Sequence, residues 1–263
     1  MNRISKKFGK KIILDDISFE LSQCDFLIGE NGSGKTTLLK ILAGLIKKFD
    51  GNIDTENESS LLLDSPCLYS LKTGFENLEF FLDDEELNNS KKYIELFQMN
   101  SYINTIVKKY SNGMKKKLSL VIALSKNKKV LLLDEPTNSL DNQSVEILKK
   151  VLYEEKKNKK IVIASHDMKV YDEKLFNSIF LLKNGKMYKI DVKALSYTYF
   201  KAKTIRNIDS EKFYFKLYDN YHYFKVFNKD IEAFCDWIAQ YKVLEISKVD
   251  FCEPIYMEDI YND

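Results

Sequence analysis

Apolar residues follow two rhythms along this chain. Short unbroken runs occur at Asp25-Phe-Leu-Ile28, Val130-Leu-Leu-Leu133 and Lys160-Ile-Val-Ile-Ala164. Branched apolar residues in succession suit strands buried on both faces of a parallel sheet. Between these runs the spacing lengthens to three and four. Thr36–Ala43 has helical composition, Phe75-Glu-Asn-Leu-Glu-Phe-Phe81 and Glu85–Met99 supply apolar helical faces, and Lys115–Asn127 reads as a helix. In the stretch 141–160, Val145, Leu148 and Leu152 mark one side of a surface helix whose lysines face solvent. Strands alternating with helices predict an α/β fold with a mainly parallel sheet. Residues 1–64 and 126–190 are expected to form its core, with residues 65–125 as a helical subdomain.

The pattern changes near the C-terminus. Residues 191–205 read as a connector, so the boundary is placed at 200, with a second domain over 201–263. There Lys212–Tyr218 and Tyr221–Phe227 flank Asp219-Asn220, a hairpin signal. Ile231, Phe234, Ile238 and Tyr241 fit one helix face, and Val243–Val249 suits a third strand. This predicts a small α+β appendage of unassigned role. Its aromatic, lysine-bearing strands could stack RNA bases, but a packed hydrophobic sheet is the expectation.

The polar residues that end the apolar runs carry the chemistry. After Ile28 comes Gly29-Glu-Asn-Gly-Ser-Gly-Lys-Thr-Thr37, which fits G-x-x-x-x-G-K-[ST], the phosphate-binding P-loop. Gly29, Asn31, Gly32, Ser33 and Gly34 let the backbone wrap an anion and aim its N–H groups inward. The following helix N-terminus, with Thr37 in its first turn, adds partial positive charge. Lys35 is expected on the β- and γ-phosphates of ATP, and the Thr36 hydroxyl on Mg²⁺. The second run ends in Asp134-Glu-Pro136. Asp134 suits a metal shell, and Glu135 is placed to polarise an attacking water. The third run delivers Ser165-His166, and His166 reads as a γ-phosphate contact. In parallel sheets, ligands sit beyond the carboxyl ends of the strands, where all three groups fall.

Composition narrows the setting. Lys and Arg total 41 against 39 Asp and Glu, a net charge of +2, so no nucleic-acid partner is expected. Arg3 and Arg206 are the only arginines, which leaves few candidates for an arginine finger. The four cysteines, at 24, 67, 235 and 252, show no C-x-x-C spacing and suit a reduced cytosolic compartment. The N-terminal MNRISKKFGKK lacks the apolar segment of a signal peptide. No apolar run approaches the ~20 residues of a membrane helix, so the chain is not expected to span a membrane by itself.

Taken in order, six segments resemble the ATPase subunit of an ABC transporter over about residues 1–200. They are Phe8 in KKFGKK, the P-loop, Asp64-Ser-Pro-Cys-Leu-Tyr69, Tyr110-Ser-Asn-Gly-Met114, LLLDEPT with Asn138-Ser-Leu-Asp141, and ASHD. The resemblance implies that Phe8 stacks on adenine and that Asp64 stands in the Q-loop as a further metal group. It implies that Ser111 and Gly113 close over ATP held by a facing subunit and that Asp141 reaches across that dimer. It further implies transmembrane permease subunits, contacted by residues 65–125, and a location on the inner face of the cell membrane. Three departures stand out. YSNGM replaces the usual LSGGQ, Asp64 replaces a glutamine, and LSQCDFLIG before the P-loop is about two residues shorter than the common form and lacks its turn glycine. The stretch DSPCLYSLKTGFENLEFF, with YS-x-GM, resembles the ATPases of bacitracin- and lantibiotic-resistance exporters. Other ABC ATPases serve assembly machines such as iron–sulfur scaffolds, or act on ribosomes or DNA; the latter usually carry two nucleotide domains or a long coiled coil.

Overall fold

The computed structural model describes residues 2–53, 58–65, 67–166, 170, 172, 174–190, 197–204, 213–218, 221–227, 230–241 and 243–248. The chain divides into two compact units, Met1–Lys189 and Ile190–Asp263.

The first unit holds two sheets. β1 (Asn2–Phe8), β2 (Lys11–Ile17) and, later in the chain, β4 (Asp50–Asn52) form an antiparallel sheet in the order β2-β1-β4. The larger sheet contains β3 (Cys24–Ile28), β5 (Ser59–Leu62), β6 (Val130–Asp134), β7 (Lys160–Ser165), β8 (Ser178–Lys183) and β9 (Lys186–Ile190). Its order is β5-β6-β7-β3-β8-β9, and the pairings from β5 through β8 are parallel. Every residue of β3 and β6 is buried, as expected for strands covered on both faces. β8 and β9 are joined by Asn184-Gly185, both left-handed, a turn whose twist matches the flanking strands.

α1 (Lys35–Leu42) buries Leu38, Leu39, Ile41 and Leu42 in one cluster with Leu27, Leu132 and Val162 of the larger sheet and Ile4, Leu14 and Ile17 of the smaller. The helix is thus clamped between two sheets, and its N-terminus cannot drift. The shortened segment before the P-loop still delivers a regular strand. The Ser22 N–H donates to Asp25 Oδ2 at 2.8 Å, and its hydroxyl donates to Oδ1, so a buried carboxylate closes the turn without a glycine. Burial pushes the Asp25 pKa up, while the Ser22 hydrogen bonds oppose the shift.

Between β5 and β6 lie α2 (Gly74–Phe81), α3 (Asp84–Leu96), a 3₁₀ turn at Val107–Lys109 and α4 (Asn112–Ser125). Thr73 with Glu76, and Asp83 with Glu86, form reciprocal capping boxes that fix the starts of α2 and α3. α4 begins three residues earlier than its apolar spacing suggests, because Ser111 caps it by accepting from the Met114 N–H. α5 (Asn142–Glu155) follows β6 and is capped by Asp141.

In the second unit, β10 (Tyr197–Thr204), β11 (Tyr214–Tyr218), β12 (Tyr221–Phe227) and β13 (Val243–Lys248) form a sheet in the order β11-β12-β10-β13, with α6 (Ile231–Ile238). β11 and β12 pair antiparallel; their expected turn residues, Asp219 and Asn220, lie outside the described residues. Phe200, Ala202, Phe224, Val226, Phe234 and Ile238 pack together. The stretch 191–205, expected as a connector, contains β10, a central strand of this sheet. Its partners, Phe224 opposite Phe200 and Ile246 opposite Ala202, lie far along the chain, so no local turn announces the pairing.

Candidate active site

Parallel register sets the site. Ile28 pairs with Ser165, and Asp134 pairs with Ala164. The loop after β3, the turn after β6 and the end of β7 therefore open on one edge of the sheet.

Gly34 caps α1 at φ 109°, and a Cβ there would lie 3.0 Å from Leu14 Cδ2 and 3.1 Å from the Ile13 carbonyl oxygen. Only glycine fits both the left-handed backbone and the gap. Asn31 and Gly32 are exposed on the loop, and Thr37 is half-buried in the first turn of α1. Ser33 Oγ is buried without a hydrogen-bond partner. Lys35 is 5% exposed; its Nζ donates to the carbonyls of Gly29 (2.6 Å) and Glu30 (3.1 Å) and lies 3.7 Å from Glu135 Oε1.

Thr36 Oγ1 donates to Asp134 Oδ2 at 2.6 Å, joining residues 98 positions apart. Asp134 is 1% exposed, and its Oδ1 is buried with no partner. Burial pushes its pKa up, the Thr36 hydrogen bond opposes this, and Glu135 and Asp64 add to the rise. An orphaned carboxylate oxygen beside a hydroxyl is costly to leave unpaired. A hard cation with oxygen ligands would relieve it. These two residues fit Mg²⁺.

Glu135 sits at φ 47°, unusual for a side chain of its size. Its N–H donates to the Ala164 carbonyl at 2.8 Å. Ser165 Oγ donates to its Oε2 at 2.9 Å, and His166 Nδ1 lies 2.9 Å from its Oε1. The carboxylate is thus aimed by β7, with a cation and an imidazole on the same oxygen.

The other expected residues are more dispersed. Asp64 Oδ1 accepts from Asn138 Nδ2 (3.0 Å) and Lys116 Nζ (3.3 Å), and its charge adds to the rise in the Asp134 pKa. Among the described residues, no group of three or more His, Cys, Asp or Glu side chains is arranged to hold a metal. Ser111 caps α4. A Cβ on Gly113 would lie 2.7 Å from the Ser139 carbonyl oxygen, so the YSNGM loop packs directly on the turn after β6. Asp141 caps α5 by accepting from the Ser144 N–H (2.8 Å), with Lys117 Nζ at 3.6 Å. The Ser144 hydrogen bonds, then Lys117, hold its pKa below the usual range. Phe8 is 53% exposed, with Lys6 Nζ 4.8 Å from its ring centroid.

Sequence reasoning left out three contributors: Ser165, Asn138 and Lys116. Ser165 stood inside the quoted ASHD, and Asn138 directly after LLLDEPT. Lys116 stood in a run of lysines that otherwise reads as helix surface.

A glycine loop between a parallel strand and a helix, with a lysine and a hydroxyl–carboxylate pair at its mouth, defines a P-loop nucleotide-binding protein. Comparisons with known proteins narrow the class. The family model described as ABC transporter matches residues 14–138. An ABC transporter ATP-binding protein of Methanocaldococcus jannaschii, MJ1023, is 31% identical over 194 residues, spanning 71% of this chain and 74% of its own. The aliphatic sulfonates import ATP-binding protein SsuB of Bacillus cereus is 31% identical over 220 residues, spanning 75% and 86%. The ATP-binding protein BexA of Haemophilus influenzae is 29% identical over 214 residues, spanning 76% and 96%. Among solved structures, the ATP-binding subunit of an ABC transporter superposes with a TM-score of 0.64 at 23% identity, covering 72% of this chain and 88% of its own. The dimeric bacterial ABC transporter cassette MJ0796 does so with 0.61 at 20% identity, covering 72% and 98%. This chain belongs to the ABC transporter family, as an ATP-binding subunit.

Proposed function

We propose that the chain is the ATP-hydrolysing motor of an exporter, working through a separate membrane subunit. One observation carries the ATPase reading: Lys35, the Thr36–Asp134 pair with its orphaned Oδ1, and Glu135 held by Ser165 and His166 share one sheet edge.

The loop N–H groups and Lys35 bind the phosphates of ATP. Thr36 and Asp134 would hold Mg²⁺, which when bound neutralises phosphate charge. Asp64 contributes charge to that shell and reaches the metal through a water, because Mg²⁺ gives up its waters reluctantly. Ser165 fixes one oxygen of Glu135, and the other takes the proton of the attacking water. With Nδ1 turned to Glu135, His166 keeps Nε2 for the γ-phosphate. Phe8, exposed at the end of β1 in the smaller sheet, stacks on adenine.

Ser111, Gly113 and Asp141 serve ATP held by a facing nucleotide domain, which is a second copy or a relative. The exposure of Asp141 and the N-terminus of α4 suit that task, and no arginine is needed. Tyr69, Leu71 and Phe80 are exposed apolar side chains of the helical subdomain, and Tyr69 and Phe80 touch with ring centroids 4.4 Å apart. They suit contact with the membrane subunit, on the inner face of the cell membrane. No helix among the described residues is long and apolar enough to cross a membrane. Export is supported by the stretch from Asp64 to Phe81; the SsuB relatives are named as import proteins, so direction is the point to test.

Two measurements test the reading. Glu135→Gln is expected to bind ATP but hydrolyse it slowly, accumulating a closed dimer in size-exclusion chromatography with ATP and no Mg²⁺. Wild-type turnover in this variant removes Glu135 from its role. Transport assays in oriented vesicles, with the membrane subunit that co-purifies with this chain, decide direction.

A further inference from the structure

Lys116 has no assigned part in hydrolysis, yet it is 2% exposed at the centre of the site. A lysine ammonium has three N–H donors, and here each has an acceptor. Nζ donates to the Asp64 carbonyl at 2.9 Å, to Asp64 Oδ1 at 3.3 Å and to the Glu135 carbonyl at 3.2 Å. The side chain therefore joins three segments: α4, the loop after β5 and the turn after β6. A lysine is a poor choice for a site this enclosed unless its charge is compensated, because desolvation disfavours the cation. Burial does pull its pKa down, and Asp64, Asp134 and Glu135 act against this.

Its third acceptor matters most. Glu135 is held at φ 47°, a conformation that persists only when its surroundings over-determine it. Its N–H is anchored on Ala164. Its carbonyl accepts from the Asn138 N–H at 3.3 Å, a bond inside the same turn, and from Lys116, which comes from outside the turn. Asn138 also donates to Asp64 Oδ1 at 3.0 Å, so Asp64 braces the clamp from both sides. Asp64, Lys116 and Asn138 also line, with Asn112 and Ser139, a cleft of about 500 Å³ beside this turn.

We propose that Lys116 is a positioning residue: paired with Asp64, it holds the Glu135 peptide in its left-handed turn and so aims the water-activating carboxylate. The inference rests on the ATPase reading above. It places Lys116 outside contact with the nucleotide, acting through Glu135.

The test is steady-state ATPase kinetics on the full chain with its membrane partner. Lys116→Met keeps length and removes the charge and donors. A misaimed catalytic group costs turnover steeply, so kcat is expected to fall roughly tenfold or more, with KM for ATP within about twofold of wild type. Lys116→Arg, which keeps the charge, is expected to recover most of the loss. In a Glu135→Gln background, Lys116→Met is expected to cause no further loss of hydrolysis, because the group it positions is already gone. If Lys116→Met does not fold, Lys116→Gln is read by the same criteria. A folded variant with wild-type kcat overturns the inference. So does a loss carried by KM, or one of equal size in the Glu135→Gln background. Absence of hydrolysis by the wild type sinks the ATPase reading itself; wild-type hydrolysis with an indifferent Lys116 sinks only this inference.

Discussion

Lys35 has two tasks in this structure. It supplies the phosphate cation, and its ammonium also ties the loop carbonyls of Gly29 and Glu30. Lys35→Ala is expected to lower ATP affinity or turnover by at least tenfold, since a charge-assisted hydrogen bond is worth roughly 1.5–3 kcal/mol. A nucleotide titration checks it, and unchanged binding and turnover would remove Lys35 from the phosphate site. Gly113 is constrained differently. Its missing Cβ lets the YSNGM loop lie against the Ser139 carbonyl, and that residue is itself left-handed at φ 66°. Gly113→Ala is expected to push the two loops apart, costing about 1–3 kcal/mol of stability by overpacking. Thermal melting reads that cost, and the ATP-driven dimer should weaken in parallel. An unshifted melt would show that the Ser139 turn yields freely.

Between elements, Glu155 is the clearest link. Near the C-terminus of α5, it accepts from the Tyr93 hydroxyl of α3 at 2.5 Å, with Lys159 at 3.0 Å and Lys92 at 3.4 Å. Burial pushes its pKa up, but the hydrogen bonds from Tyr93 and Lys159 and the lysine charges outweigh that, and the net shift is downward. A carboxylate with a lowered folded-state pKa contributes stability that is present above the ordinary value of 4.5 and lost as pH falls through the lowered one. Glu155→Gln is therefore expected to cost about 1–2 kcal/mol at neutral pH. The wild-type and variant melting temperatures should converge on the acid side of that window. A gap independent of pH would show that packing, rather than charge, joins the helical subdomain to α5.

On the scale of the whole molecule, the first unit has its own core around α1 and two sheets, and it contains every residue placed in the site. The second has a separate aromatic core around Phe224 and Phe234. A chain ending at Ile190 is expected to melt cooperatively and to bind ATP as the full chain does. Circular dichroism and a nucleotide titration check this; aggregation of the shortened chain would mean that the second unit is needed for folding.

Much of this was legible in the residues themselves. Unbroken apolar runs announce buried parallel strands because burial on both faces favours apolar side chains at successive positions, and β3, β6 and β7 lie where those runs lie. The glycine loop could be read because its spacing is a local backbone requirement. β10 could not, because its partners are distant and a strand is stable only when paired. Nor could the orphaned Oδ1 of Asp134, the aim of Glu135 between Ser165 and His166, or the turning inward of one lysine from a run of three. Local composition selects a strand or a helix, whereas burial and hydrogen-bond partners arise from segments tens of residues apart. The parallel register that sets Ile28 beside Ser165 and Asp134 beside Ala164 brought those segments to a single edge.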